Sequence, residues 1–197
     1  MKALWVSGWG IEPGFFKAFV EHVFPSFDHT VREPAPRAFP LQGFDWIIGY
    51  SLGCSVLFDR YADADPHTKL ALLAPFPAFP MESGRGGKIT STEIRLTKRT
   101  LRQNPLLAIH SFYQKAGLLY RLSRLPYDLD SLNWGLDLLS DIQLDLDFLT
   151  EAECLILGDS DPLIDALEAR PYFPESTRIL KNSGHDFREL APNLPFQ

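Results

Sequence analysis

A chain of 197 residues with 45% hydrophobic residues, mean hydropathy −0.08 and formal charge −6 has the composition of one globular domain around a single core. The acidic balance argues against nucleic-acid binding, and no apolar run approaches the roughly 18 residues that span a bilayer. The sequence opens directly on an apolar strand with no leader pattern. Its two cysteines, Cys54 and Cys154, sit in apolar segments rather than a disulfide framework, so we expect a reduced, cytoplasmic monomer. His22, His29, His67 and His110 are scattered singly, and no cluster at metal spacing or phosphate-cradling glycine loop calls for a metal or cofactor.

In chain order, the patterning predicts a strand at 2–6, a helix at about 13–23 and a strand at about 29–33. The segment 34–43 is too short and too proline-rich for a crossover helix, which predicts an extended strap. A strand at 45–49, a helix at 52–62 and a strand at 68–74 follow. Next come a long helical insert over 76–140, a strand at 152–157, a short helix at about 163–170, a strand at 177–181 and a final helical turn. Strands alternating with helices predict an α/β fold. Its sheet of about six strands is mainly parallel, covered on both faces and trimmed by one crossover helix. Residues 1–75 and 141–197 form the core on this reading, and 76–140 a helical lid.

The chemistry concentrates behind the strand 45–49. Gly49-Tyr50-Ser51-Leu52-Gly53 is a G-x-S-x-G turn between strand and helix, the nucleophile elbow of an α/β-hydrolase. Small residues flank Ser51 because the strand folds back sharply into the helix, lifting the hydroxyl clear of the sheet. Two further residues follow later strands in the order that fold uses. Asp161 follows the strand 152–157 and His185 follows 177–181, giving Ser, then acid, then His. His185 would take the Ser51 proton and Asp161 would fix its tautomer. Asp161 is favoured because it lies deeper in its loop and precedes Pro162, with Asp159 and Asp165 as alternatives. Ser7-Gly8-Trp9-Gly10 follows the first strand, and the backbone N–H groups of Trp9 and Leu52 are the expected oxyanion donors. Trp9 also has the size to plug the first loop.

The insert is strongly basic. Residues 85–124 carry nine basic side chains against one acid, Glu93, while the rest of the chain is acidic. Arg95, Lys98, Arg99 and Arg102 share one helix face, where like charges repel by about a few tenths of a kcal/mol per pair. Such a stripe suits docking of an anionic partner. Asn104 and Pro105 then restart a second helix as N-cap and first residue. Its apolar stripe runs through Leu106, Ile109, Phe112 or Tyr113, and Ala116, and Phe112 and Tyr113 are expected against substrate.

These residues resemble the pimeloyl-acyl-carrier-protein methyl ester esterases of biotin synthesis. The resemblance lies in Gly8-Trp9-Gly10, the elbow, Ala74-Pro75-Phe76-Pro77-Ala78-Phe79 opening the lid, Gly135-Leu136-Asp137-Leu138-Leu139 with Asp141 and Leu144 closing it, and Gly158-x-x-Asp161. It implies a carboxylesterase whose partner is an acyl-carrier protein bearing a pimeloyl methyl ester. Lid arginines would bind that carrier, here Arg95, Arg99 and Arg102 by position. It also implies Ser51, Asp161 and His185 as triad and Trp9 and Leu52 as oxyanion donors. Three features depart from the family pattern. Ser7 stands where the family commonly has histidine, Cys54 where a glycine usually follows the elbow, and one crossover helix is missing. The competing readings are a general small-acyl carboxylesterase or thioesterase, and a non-catalytic hydrolase-fold module gripping an acidic protein.

Overall fold

A computed structural model describes residues 1–196. Six strands run β1 (Lys2–Val6), β2 (Asp28–Arg32), β3 (Trp46–Tyr50), β4 (Lys69–Leu73), β5 (Cys154–Gly158) and β6 (Arg178–Leu180). They form one sheet in the order β2-β1-β3-β4-β5-β6, with every pairing parallel. β3 and β5 are buried along their whole length, as the continuous apolar runs require of strands covered on both faces.

The order reverses between β1 and β3. β1 steps outward to β2, whereas β3, β4, β5 and β6 step the other way. Right-handed crossovers therefore place α1 (Pro13–Val23) and α2 (Leu52–Phe58) on opposite faces. α8 (Phe187–Leu190) joins α1 through Phe16 and Phe187, whose rings lie 4.4 Å apart. α6 (Leu146–Glu151) meets α2 through Phe58 and Phe148 at 5.3 Å. The reversal leaves a crevice at the C-terminal ends of β1 and β3, where open α/β sheets place their sites.

No helix forms between β2 and β3, so the proline-rich strap spans that gap with Leu41 buried. The strap also sets the end of α2. Arg60 donates to the Phe39 carbonyl at 2.5 Å and lies over the Phe39 ring at 4.2 Å. The helix expected over 52–62 therefore stops at Phe58 and gives way to a 3₁₀ turn at Tyr61–Asp63.

The insert is helical only in part. α3 (Ser91–Gln103) and α4 (Pro105–Lys115) meet at Asn104 alone, whereas the irregular segment 116–128 separates α4 from α5 (Leu129–Asp141), and further irregular segments join these helices to the core. α3 opens with a capping box between Thr90 and Glu93, and α4 with Asn104 accepting from the Leu107 N–H ahead of Pro105. α7, expected over about 163–170, spans only Ala166–Ala169 because Asp165 caps it late. No helix among the described residues is long and apolar enough to cross a membrane.

Candidate active site

Ser51 sits at φ 53, ψ −118, a conformation that residues with a side chain resist. The neighbouring glycines make that turn sterically possible. A Cβ on Gly49 would lie 2.8 Å from Cys54 Cα, and one on Gly53 would overlap the Val6 carbonyl oxygen. The turn delivers Ser51 Oγ to the crevice between β1 and β3. There its hydroxyl donates to His185 Nε2 at 2.9 Å. The Nδ1–H of the same imidazole donates to Asp161 Oδ2 at 2.6 Å, and a carboxylate that only accepts fixes this tautomer. All three side chains are buried.

Asp161 is held from its other oxygen by the N–H groups of Leu163 and Ile164 at 2.7 and 3.1 Å. Asp159 is exposed, and its Oδ1 is occupied by the Asn182 N–H and the Ser160 hydroxyl. Asp165 is spent on the N-cap of α7. The geometry therefore brings Asp161 to the histidine and leaves the two alternatives in structural bonds. The lid base reinforces the acid loop, because Lys88 donates through Nζ to the Asp161 carbonyl and through its N–H to the Leu163 carbonyl.

Tyr50, the variable residue of the elbow, has a function its spacing did not reveal. Its hydroxyl donates to the His185 carbonyl at 2.8 Å, tying nucleophile turn and histidine loop together. Burial, then the nearby Asp186 and Asp161 charges, push its phenol well up, so it stays a neutral donor.

Trp9 and Leu52 flank Ser51, and both are buried. Among the described residues neither backbone N–H has an acceptor. Two N–H groups without an acceptor, on buried residues beside one hydroxyl, suit an oxygen that becomes negative during reaction. The Trp9 ring also plugs the loop. It meets Phe112 edge-on at 4.9 Å, and its indole N–H donates to the Leu132 carbonyl at 2.8 Å. Gly135 on α5 permits that approach, since a Cβ there would lie 2.7 Å from the Trp9 ring.

The lid covers the site closely. Phe112 and Leu118 line a pocket beside Ser51 that is too narrow for a water-sized sphere, and Ser51 itself is 6% exposed. Tyr113, expected beside Phe112 against substrate, is instead buried with its hydroxyl donating to the Gly10 carbonyl. Arg95, Arg99 and Arg102 are exposed on α3 as a basic stripe. Other lid charges are answered internally: Lys98 pairs with Asp137 on α5, and Lys115 with Glu93. Together the parts could support nucleophilic acyl transfer. His185 would accept the serine proton as Ser51 attacks a carbonyl, Asp161 would stabilise the imidazolium, and two N–H groups would meet the oxyanion.

A scan against protein-family models finds no match, and a search of curated proteins finds none either. Solved structures do match over nearly the whole chain. A hydrolase from Oleispira antarctica superposes with TM-score 0.65 at 11% identity, covering 95% of this chain and 85% of that one. The N-formylmaleamic acid deformylase Nfo of Pseudomonas putida S16 gives 0.59 at 13%, covering 93% and 85%. BioG from Haemophilus influenzae gives 0.52 at 12%, covering 93% and 88%. With its parallel six-stranded sheet, nucleophile-elbow turn and lid insertion, this chain has the α/β-hydrolase fold.

Proposed function

We propose that this protein is a serine hydrolase of acyl esters, with the methyl ester of pimeloyl-acyl-carrier protein as its substrate. The observation that carries the hydrolase reading is the Asp161–His185–Ser51 chain, with hydrogen bonds of 2.6 and 2.9 Å beside two N–H groups without an acceptor on buried residues. Ser51 would attack the ester carbonyl and His185 would pass the proton to the departing methanol. Water activated by the same imidazole would then release the free acid. Support for a carrier-borne substrate comes from the exposed arginines at 95, 99 and 102 on an otherwise acidic protein, a surface that would steer an acidic carrier.

The test is demethylation of pimeloyl-acyl-carrier protein against a free short-chain ester, for wild type and for Arg95→Glu, Arg99→Glu and Arg102→Glu combined. Charge reversal should raise KM for the carrier-linked ester and leave the free ester nearly unchanged. The wild-type advantage should shrink as salt rises. Equal turnover of both substrates by both proteins would leave a general small-acyl esterase or thioesterase. Absence of turnover on any ester would leave a binding module.

A further inference from the structure

Beyond Ser7, whose N–H donates to the Arg32 carbonyl of β2 at 2.9 Å, the loop that carries the Trp9 N–H is held by the lid. Gly10 donates its N–H to the Tyr127 hydroxyl at 2.7 Å and accepts the Tyr113 hydroxyl on its carbonyl. One residue earlier, the Trp9 indole N–H donates to the Leu132 carbonyl at 2.8 Å. These anchors come from three parts of the lid: Tyr113 from α4, Tyr127 from the segment before α5, and Leu132 from α5 itself. From Gly8 to Ile11, the loop's own internal backbone bond is Ile11 N–H to Gly8 carbonyl at 3.3 Å. Gly10 stands at φ +73, where a glycine moves freely between several backbone wells and needs outside bonds to stay in one.

We infer that Tyr113 and Tyr127 are positioning residues that aim the Trp9 N–H at Ser51, so that the oxyanion hole is complete only when the lid is closed. The inference rests on the hydrolase reading above. The pocket that Phe112 and Leu118 line beside Ser51 is too narrow for an acyl chain, so a substrate enters by displacing the lid, and displacement strains or breaks all three anchors. Closure behind the substrate restores them, aligning the donor and expelling water together. Burial pushes both phenols up, so the two hydroxyls remain neutral bonding groups across the working pH range.

The experiment compares Tyr113→Phe, Tyr127→Phe, their double variant and Trp9→Phe with Tyr61→Phe. Tyr61 bonds the Thr68 carbonyl at 2.7 Å and serves as a control for a lost tyrosine bond away from the loop. The readouts are kcat and KM on a short-chain ester, melting temperature, Ki of an alkyl boronic acid, and amide exchange at Trp9 and Gly10. Each loop variant should lower kcat about tenfold, and the double variant about a hundredfold, with KM within about twofold of wild type. Boronate Ki should rise by the factor that kcat/KM falls, because the tetrahedral adduct needs the same donor. Amide exchange should quicken in these variants. Tyr61→Phe should lower melting temperature and leave kcat in place.

Unchanged kcat in active tyrosine variants, a KM effect alone, or an unmoved boronate Ki would overturn the inference. If the double variant does not fold, the single variants Tyr113→Phe and Tyr127→Phe decide, since each removes one bond to Gly10 and keeps the ring. A wild type inactive on every ester would overturn the hydrolase reading itself. Amide exchange would then still decide whether the lid orders the loop.

Discussion

Replacing Ser51 by glycine should make the protein more stable than replacing it by alanine, while both variants lose activity. The reasoning starts from φ 53, ψ −118, where the ψ lies well outside the left-handed helical well. Such conformations cost about 1–3 kcal/mol for residues with a Cβ, and the displaced ψ puts this one near the top of that range. Alanine keeps the strain and glycine releases it. Against that relief stand about 0.8 kcal/mol for a lost buried methyl and about 0.8 kcal/mol for the greater freedom of unfolded glycine. The glycine variant is left about 1 kcal/mol ahead, or about 2–4 °C in melting temperature for a chain of this size. Both variants leave His185 Nε2 without its serine partner, so that loss cancels in the comparison. Urea denaturation with matched slopes reads the difference. Hydrolysis of a short-chain ester should fall by about a millionfold in each. An alanine variant as stable as the glycine one would show that the elbow stores no strain, and substantial residual turnover would sink the nucleophile assignment.

His185→Ala should lose as much activity as Ser51→Ala, with no further loss in the double variant, because the two act as one unit in steady-state assays. Asp161→Asn should lower kcat by up to about 10⁴, whereas Asp159→Asn should leave it near wild type; the reverse ranking would move the acid to the exposed position. Gly53→Ala would drive a Cβ into the Val6 carbonyl oxygen and should cost more than the about 1–3 kcal/mol usual for overpacking, read as insoluble expression or a lost thermal transition. The Lys115 ammonium, then the Thr90 N–H, hold the Glu93 carboxyl down to about 2, so its contribution is present above the ordinary carboxylate range and is lost as pH falls from about 4.5 to 2. Because the pair is largely exposed, Glu93→Gln should lower melting temperature at pH 6 by at most about 2–4 °C and match wild type near pH 2; parallel profiles would refute the assignment.

The parts of this architecture legible in the sequence are those set by neighbours along the chain. The elbow announces itself because its steric demand falls on residues two positions either side of Ser51. The strap is legible because proline cannot continue a helix. In the sequence, loop depth and Pro162 favour Asp161 over Asp159. The structure adds a reason no local pattern carries, which is that Asp159 is already engaged by Asn182, 23 positions away.

What escaped the sequence was set across long separations. The early end of α2 follows from Arg60 reaching back to Phe39, and nothing in the periodicity of 52–62 encodes that contact. The lid's net positive charge is plain to count. Its division into exposed arginines on α3 and lysines already paired to Asp137 and Glu93 depends on how three helices pack. Tyr127 illustrates the limit best. It lies in an irregular segment with no motif around it, 117 positions from Gly10, yet it accepts the Gly10 N–H, one residue on from Trp9. A residue can be inconspicuous in sequence and still set the geometry of a site, because the hydrogen bond that gives it a role exists only once the lid has folded back over the sheet.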